Sequence, residues 1–308
     1  MGTPTDEKGR FRNLNFPFWP ELGKVLRWQT QPNPQKEEKA KEIWLPDIQA
    51  DGEYLLRKEN CFVWLGHNSF FFRIDGTGFL IDPVLGKASV VKRKIKFPYT
   101  AEIAKQVDYL LITHDHRDHC DGPSLKKLYE INPKMKVLTG LGMRNILQSF
   151  MPGCTLEEAG WYQQYSLCNG FDIWFMPSRH WSRRSLNDTN ERLWGGFYVS
   201  GGGVNLYMMG DSGMDDHFTR IGELFPDIQF AFMGIGAYSP EWFMHSSHMK
   251  PEDSWLAFMQ LKADHFVPMH YGTFDLADEP LSEPLQRLKA VADPNSLIVP
   301  IIGQSIWI

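Results

Sequence analysis

The sequence predicts an α/β fold in which mixed sheets are covered by helices, and two observations carry this. From about residue 107 onward, short apolar runs of strand length alternate with helix patterns, as in sheets flanked by helices. Before that, residues 61–81 hold three apolar runs joined by tight turns, which read as an antiparallel meander. The 308 residues are 43% hydrophobic and 22% charged, ample core material for one large α/β domain.

The elements follow in order. In the first fifty residues Pro4, Pro17, Pro20, Pro32, Pro34 and Pro46 alternate with Phe11, Phe16, Phe18, Trp19, Trp28 and Trp44. Proline at this density blocks long helices and central strands, while the aromatics argue against disorder. An extended arm over residues 1–50 is expected, lying on the surface of a main domain at 51–308. Within the arm, residues 36–42 (KEEKAKE) read as a short solvated helix. Residues 61–65, 69–74 and 79–81 are the meander strands. Residues 107–113 (VDYLLIT) are almost continuously apolar, which suits a strand buried on both faces. Residues 123–131 read as a helix, 136–139 as a strand and 140–150 as a helix. Residues 171–176, 196–200 and 204–209 read as strands, the last two joined through Gly201, Gly202 and Gly203. Residues 229–233 are a buried strand. Pro251 opens a helix with Glu252 and Asp253 in its first turn. Residues 265–269 are a strand, and two apolar runs flank Gly303.

Composition narrows the function. Lys and Arg total 32 against 37 Asp and Glu, a net charge of −5, so no nucleic-acid partner is expected. No run of 18 apolar residues offers a transmembrane helix. The opening MGTPTDEKGRFRN lacks the apolar segment of a secretory signal. Cys61, Cys120, Cys154 and Cys168 are widely spaced without a Cys-x-x-Cys pair, which suits a reducing cytoplasm rather than a disulfide scaffold. A Gly-x-Ser-x-Gly elbow and a phosphate-binding Gly-x-x-x-x-Gly-Lys loop are both missing.

The most informative segment is Thr113-His114-Asp115-His116-Arg117-Asp118-His119. It follows the buried VDYLLIT strand, and a loop at the carboxyl end of such a strand is where α/β proteins place chemistry. Four potential ligands stand within six residues: His114, His116, Asp118 and His119. In an extended turn His114 and His116 point the same way. Asp118 and His119 come after the chain bends and face a neighbouring point, so the spacing suits two metals better than one. Imidazole and carboxylate suit zinc, with manganese or iron also able to use them. His180, Asp211 and His270 each stand alone immediately after a strongly apolar strand pattern.

His-x-His-x-Asp-His followed by a histidine, an aspartate and a histidine at strand ends resembles the metallo-β-lactamase fold hydrolases. The resemblance implies a four-layer αββα sandwich. It implies one metal held by His114, His116 and His180, a second held by Asp118, His119 and His270, and Asp211 bridging them. Nothing in this set departs from the hydrolytic pattern. The segments LGHNSFF at 65–71, LIDPV at 80–84, HWSRR at 180–184, LWGG at 193–196, IGAY at 235–238, WFM at 242–244 and HYGTF at 270–274 are similar to the N-acylphosphatidylethanolamine-hydrolysing phospholipase D branch, as is His248 with Pro251 and Glu252. This similarity runs from about Arg10 to about Pro284.

The branch implies a phosphodiesterase of N-acylphosphatidylethanolamine-type phospholipids. Two ions, zinc first, would share a water, bring its pKa from about 15.7 toward neutrality, and so present hydroxide to phosphorus. N-acylethanolamine would leave and phosphatidic acid remain. Asp118 would hold a metal and orient the attacking water, and His248 would donate to the phosphate or the leaving oxygen. Asp82 and His67 are read as partners that orient ligands, whereas His217, His245 and His265 are read as structural or surface. Residues 233–249, dense in Met, Trp, Phe and Tyr, would line an acyl groove or pack in the core. Phe16, Phe18, Trp19 and Trp28 would pack on their own domain, or touch a membrane or another subunit as a homodimer. Lys87, Lys92, Arg93, Lys94 and Lys96 form a basic stretch able to meet anionic headgroups at a membrane surface. Two alternatives stand beside this reading: a lactonase or other ester hydrolase of the same fold acting on a small soluble substrate, and a non-enzymatic metal-binding scaffold or sensor.

Overall fold

The structure, a computed structural model, describes residues 2–168 and 170–308. The first sheet holds β1 (Cys61–Gly66), β2 (Ser69–Ile74), β3 (Thr77–Ile81), β4 (Tyr109–Ile112), β5 (Lys136–Gly140), β6 (Thr155–Ala159) and β13 (Ser305–Trp307). Its order is β13-β1-β2-β3-β4-β5-β6. The second holds β7 (Gln163–Gln164), β8 (Asp172–Met176), β9 (Gly196–Gly201), β10 (Val204–Met208), β11 (Phe230–Gly234) and β12 (His265–Met269), in order β12-β11-β10-β9-β8-β7. Both are mixed. The meander β1-β2-β3 and the run β7-β8-β9-β10 pair antiparallel, whereas β3-β4-β5-β6 and β10-β11-β12 pair parallel. Gly202 and Gly203 both take positive φ (56° and 78°), which the two-residue turn between β9 and β10 requires.

Alternation along the strands creates the layers. Phe62, Phe70 and Phe72 point inward and meet Phe232 of the second sheet, with ring centroids 5.0–5.2 Å apart. Their neighbours Val63, Phe71 and Leu80 point outward and pack with Leu125 and Leu128 of α3 (Gly122–Ile131) and Leu147 of α4 (Arg144–Phe150). The outer face of the second sheet is covered by α5 (His217–Leu224) and α7 (Pro251–Leu261), through Phe218, Ile221, Phe258 and Leu261, with the four-residue α6 (Glu241–Met244) between them in sequence. The result is helix, sheet, sheet, helix, the predicted four-layer αββα sandwich. Helix α8 (Glu283–Val291) packs beside α7, where Arg287 makes a two-pronged pair with Glu252.

Residues 2–50 depart from a purely extended arm. They contain α1 (Leu22–Thr30), set between Pro20 and Pro32, and α2 (Lys36–Lys41), which has no buried residue. Trp28 Nε1 donates to Asp278 Oδ1 at 3.0 Å and Glu42 accepts from the backbone of Leu281 and Ser282. Both helices are therefore strapped to the loop that follows β12.

His217, at the start of α5, is buried with Nε2 3.3 Å from Ser212 Oγ. Burial pulls its pKa down to about 4, whereas an unfolded histidine titrates near 6.5. This group's contribution to stability is complete above about pH 6.5 and is lost as the pH falls toward 4, because only the unfolded chain takes up the proton. The loss is roughly 3 kcal/mol across that window. Urea melts of His217→Gln are expected to show a shallower acid dependence than the parent between pH 6.5 and 4. Equal slopes would refute this.

Candidate metal centre

One edge of the sandwich collects the chemistry. β4 ends at Ile112 and delivers Thr113 to His119, β8 leads to His180, β10 to Asp211, β12 to His270, and β3 to Asp82. His67 sits in the turn between β1 and β2. The first motif is held rigid by Asp115, which the sequence reading left without a role. This buried carboxylate accepts from Arg192 Nε at 2.6 Å and Arg183 N at 3.0 Å, while Arg184 Nη1 donates to the carbonyls of Asp115 and Cys120. The loop carrying His180 is thereby bolted to the loop carrying His114 to His119.

Two clusters result, His114–His116–His180–Asp211 and His67–Asp118–His119–His270, while Asp211 also faces His248 and His270. The outer hydrogen bonds reveal what the inner nitrogens carry. Thr113 Oγ1 donates to Asp82 Oδ2 at 2.6 Å, so it can only accept from His114 Nδ1 at 3.0 Å. His180 Nδ1 lies 3.1 Å from the carbonyl of Ser247, and His119 Nδ1 lies 2.8 Å from Asp82 Oδ2. Each of these Nδ1 atoms must therefore bear the proton. In the neutral rings of His114 and His180, that leaves a lone pair on Nε2. Both lone pairs face His116 Nδ1 at 3.0 Å. One proton on His116 can satisfy only one of them, whereas a cation satisfies all three nitrogens. The buried His116 Nε2, His119 Nε2 and His270 Nε2 have no aligned hydrogen-bond partner. The donor set therefore fits divalent metal.

Electrostatics divide the site. Burial, reinforced by neighbouring imidazoles, keeps His114 and His180 well below the ordinary histidine range and therefore neutral. Burial also disfavours charge on His119 and His270, but Asp211 and Asp118 outweigh it, raising His119 strongly and His270 to about 9. The two carboxylates are likewise driven down by those imidazoles against their own burial. Between Asp118 and Asp211 the fold demands positive charge. Divalent cations held by these groups would supply it.

Asp82 binds Thr113 N, Thr113 Oγ1, Asn68 Nδ2 and His119 Nδ1. His67 Nε2 meets Asp118 Oδ2 at 3.1 Å, and the His67 carbonyl accepts from His270 N. His67, Asp82 and His270 all have positive φ (54°, 39° and 61°), a conformation unfavourable for non-glycine residues that gathers at functional sites. His248 faces inward, with Nδ1 3.9 Å from Asp211 Oδ2, and burial lowers its pKa to about 4.

The packing corrects one sequence expectation and details two others. Arg93 does not belong to a solvated basic face. It turns inward to the carbonyls of Val84, Leu65 and Ile95 and lies part-buried. Residues 233–249 divide. Met233, Ile235, Tyr238 and Met249 are core, while Trp242 and Phe243 lie nearer the surface against Arg27 and Trp28 of α1. Phe16 and Trp19 remain about half exposed, covered on one side by Arg179 and Arg10. Sequence reasoning also missed Glu279, a buried carboxylate in a loop that accepts from Ala237, Tyr238 and Ser239 N and fixes the turn behind His270. No local pattern marks it. Beside the metal motif opens a cleft of about 390 Å³, lined by Lys87, Arg117, Lys127, Arg184 and Phe150 among others.

Two mixed sheets face to face between helices, with histidines and aspartates gathered where the strands end, define the class as a metal-dependent hydrolase sandwich. The family model described as a beta-lactamase superfamily domain matches residues 77–271, and the chain belongs to that superfamily. Within it, the chain is 30% identical over 285 residues to N-acyl-phosphatidylethanolamine-hydrolyzing phospholipase D 1 of Caenorhabditis elegans, covering 87% of this chain and 80% of that one. It is 30% identical over 242 residues to the mitochondrial N-acyl-phosphatidylethanolamine-hydrolyzing phospholipase D of Saccharomyces cerevisiae, covering 75% of this chain and 51% of that protein. Among solved structures, Igni18, a metallo hydrolase of Ignicoccus hospitalis, shares the fold with a TM-score of 0.63 and 22% identity, over 80% of this chain and 97% of that one. Among the described residues, no helix is long and apolar enough to cross a membrane.

Proposed function

We propose that the chain is a phosphodiesterase of N-acylphosphatidylethanolamine-type phospholipids that works with two divalent cations, zinc foremost. One constellation carries this reading. Two donor clusters meet at Asp211, and Arg117 of the same ligand loop lines a cationic cleft, in a chain 30% identical to a phospholipase of that specificity. His114, His116 and His180 would hold one ion, Asp118, His119 and His270 the other, with Asp211 shared. Once bound, the ions would supply Lewis acidity and acidify a water near neutral pH.

The protein's own groups do the rest. Arg117, Lys127 and Arg184 offer the cleft a positive wall for an anionic phosphodiester. Trp242 and Phe243, backed by Trp28, offer a surface apolar patch suited to acyl chains. His248, neutral at pH 7, donates a hydrogen bond to the phosphoryl or leaving oxygen. His248→Ala is expected to lower kcat about 100-fold while metal content, read by elemental analysis, stays at the parent level. Unaltered turnover would remove this role.

The decisive experiment combines elemental analysis with an assay on N-acylphosphatidylethanolamine, following released N-acylethanolamine by mass spectrometry with and without chelator. Two ions per chain and chelator-sensitive release are expected. Two ions without lipid turnover, but with hydrolysis of bis(p-nitrophenyl) phosphate, would move the substrate to a small soluble phosphodiester. No bound metal after reconstitution would overturn the reading.

A further inference from the structure

His180 differs from the other histidines of the cluster in how its backbone is held. It lies beyond the end of β8, after Arg179 has made an isolated bridge to Gly213. On that side both peptide groups of Arg179 are satisfied: its carbonyl accepts from Gly213 N at 2.8 Å, and its N–H donates to the Ser212 hydroxyl, Oγ, at 2.9 Å. In an extended chain the next residue turns its N–H and C=O to the opposite side. His180 is only 1% exposed, so on that side both groups need protein partners. No strand supplies them.

The partner is Asn13, from the N-terminal arm. Its Oδ1 accepts from His180 N and its Nδ2 donates to His180 O, each at 3.0 Å. A carboxamide has the same donor and acceptor as a peptide group, so one side chain takes the place of a neighbouring strand. Asn13 is itself 4% exposed, far from a residue lying on the surface. The arm is tied down on both sides of it. Phe11 N donates to Asn190 O, Thr3 Oγ1 accepts from Trp161 N, and Asn15 Nδ2 reaches Asp215 and Asp216. The His180 ring is then fixed by two anchors: Asn13 on its backbone and the Ser247 carbonyl on its Nδ1.

We infer that Asn13 is a positioning residue for His180, and that the arm is therefore a working part of the metal site rather than an appendage. The inference rests on the proposal that His180 holds a metal. Without Asn13 the His180 peptide loses both partners, and the ring loses the fixed aim that brings Nε2 within 3.0 Å of His116 Nδ1. The other cluster contains neither His180 nor any group bonded to Asn13 and meets the first only through Asp211, so the larger effect falls on one ion.

The test uses the full chain, demetallated and titrated with zinc against a chromophoric chelator, with cobalt substitution read by its visible absorption. Asn13→Ala removes both bonds. Asn13→Asp keeps the acceptor for His180 N and loses the donor. In Asn13→Ala one of the two zinc sites should weaken about 10- to 100-fold, with the cobalt bands of one site altered. Asn13→Asp should fall between it and the parent, and the melting temperature of the metal-free protein should hold within a few degrees. Equal zinc affinities and identical cobalt spectra in all three proteins would overturn the inference. So would equal weakening of both sites together with a large fall in metal-free melting temperature, since that is general destabilisation. If Asn13→Ala does not fold, the Asn13→Asp comparison decides. A parent that binds no zinc would instead bring down the metal reading beneath the inference, and the inference with it.

Discussion

On the two-ion reading proposed above, replacing Asp211 with alanine is expected to lower kcat/KM by about three orders of magnitude and to reduce bound metal to one ion or fewer. Its two oxygens are the point at which the clusters meet. Oδ2 is 3.2 Å from His119 Nε2 and 3.7 Å from both His114 Nε2 and His180 Nε2, while Oδ1 is 3.1 Å from His270 Nε2. A shared ligand fixes both the charge and the spacing of a metal pair. Lewis-acid stabilisation is worth several kcal/mol, and about 1.4 kcal/mol is tenfold in rate, which gives the expected magnitude. Without the carboxylate, His119 and His270 also lose the charge that raises them. Elemental analysis and steady-state kinetics on one sample check both parts. A variant that keeps two ions and more than about a tenth of its activity would show that Asp211 does not join the sites.

The second large effect belongs to Asp82, which is fully buried and touches no substrate-facing surface. Its carboxylate collects Thr113 N at 2.9 Å, Thr113 Oγ1 at 2.6 Å, Asn68 Nδ2 at 2.8 Å and His119 Nδ1 at 2.8 Å. Asp82→Ala leaves four buried donors without an acceptor. Each costs about 1–3 kcal/mol before relaxation, so a total near 4–5 kcal/mol is expected, at the top of the range for single substitutions. The metal-free protein should melt roughly 10 °C lower. Zinc affinity should also fall about 10- to 100-fold, because His119 loses the partner that sets its tautomer. Asp82→Asn preserves volume and half of the acceptors and should lie between. A melting temperature within about 2 °C of the parent would show that Asp82 is dispensable.

The ligand candidates were legible in the sequence because a strand is a local pattern. VDYLLIT, FDIWFMPS, VNLYMMG and HFVPM are apolar runs that end abruptly in a histidine or aspartate. β8, β10 and β12 run the same way in one sheet, and β4 of the facing sheet ends at the same edge, so residues just beyond these strands meet. The layering of mixed sheets under helices was legible from the alternation of strand-length and helix patterns, and the four-layer αββα order from the resemblance of the ligand motif to a known fold. Some elements were not. β6 reads TLEEA, and Glu157 and Glu158 conceal a strand at the sheet edge. α5 and α8 are short helices of eight and nine residues whose apolar faces form only against α7 and the second sheet.

By itself, then, the sequence determined the fold class, the end of the sandwich at which chemistry sits, and the residue types available there, since all three follow from local periodicity and chemical identity. Only the tertiary structure decided the supports: Asn13 beneath His180, Asp115 against Arg192, Glu279 around the Ala237 turn. Asn13 and His180 are 167 positions apart, and Asn13 stands in a stretch of polar and aromatic residues with no period to mark it. A single polar side chain that satisfies a distant backbone carries no local signature. Its meaning appears only when folding brings it to a buried peptide that lacks partners.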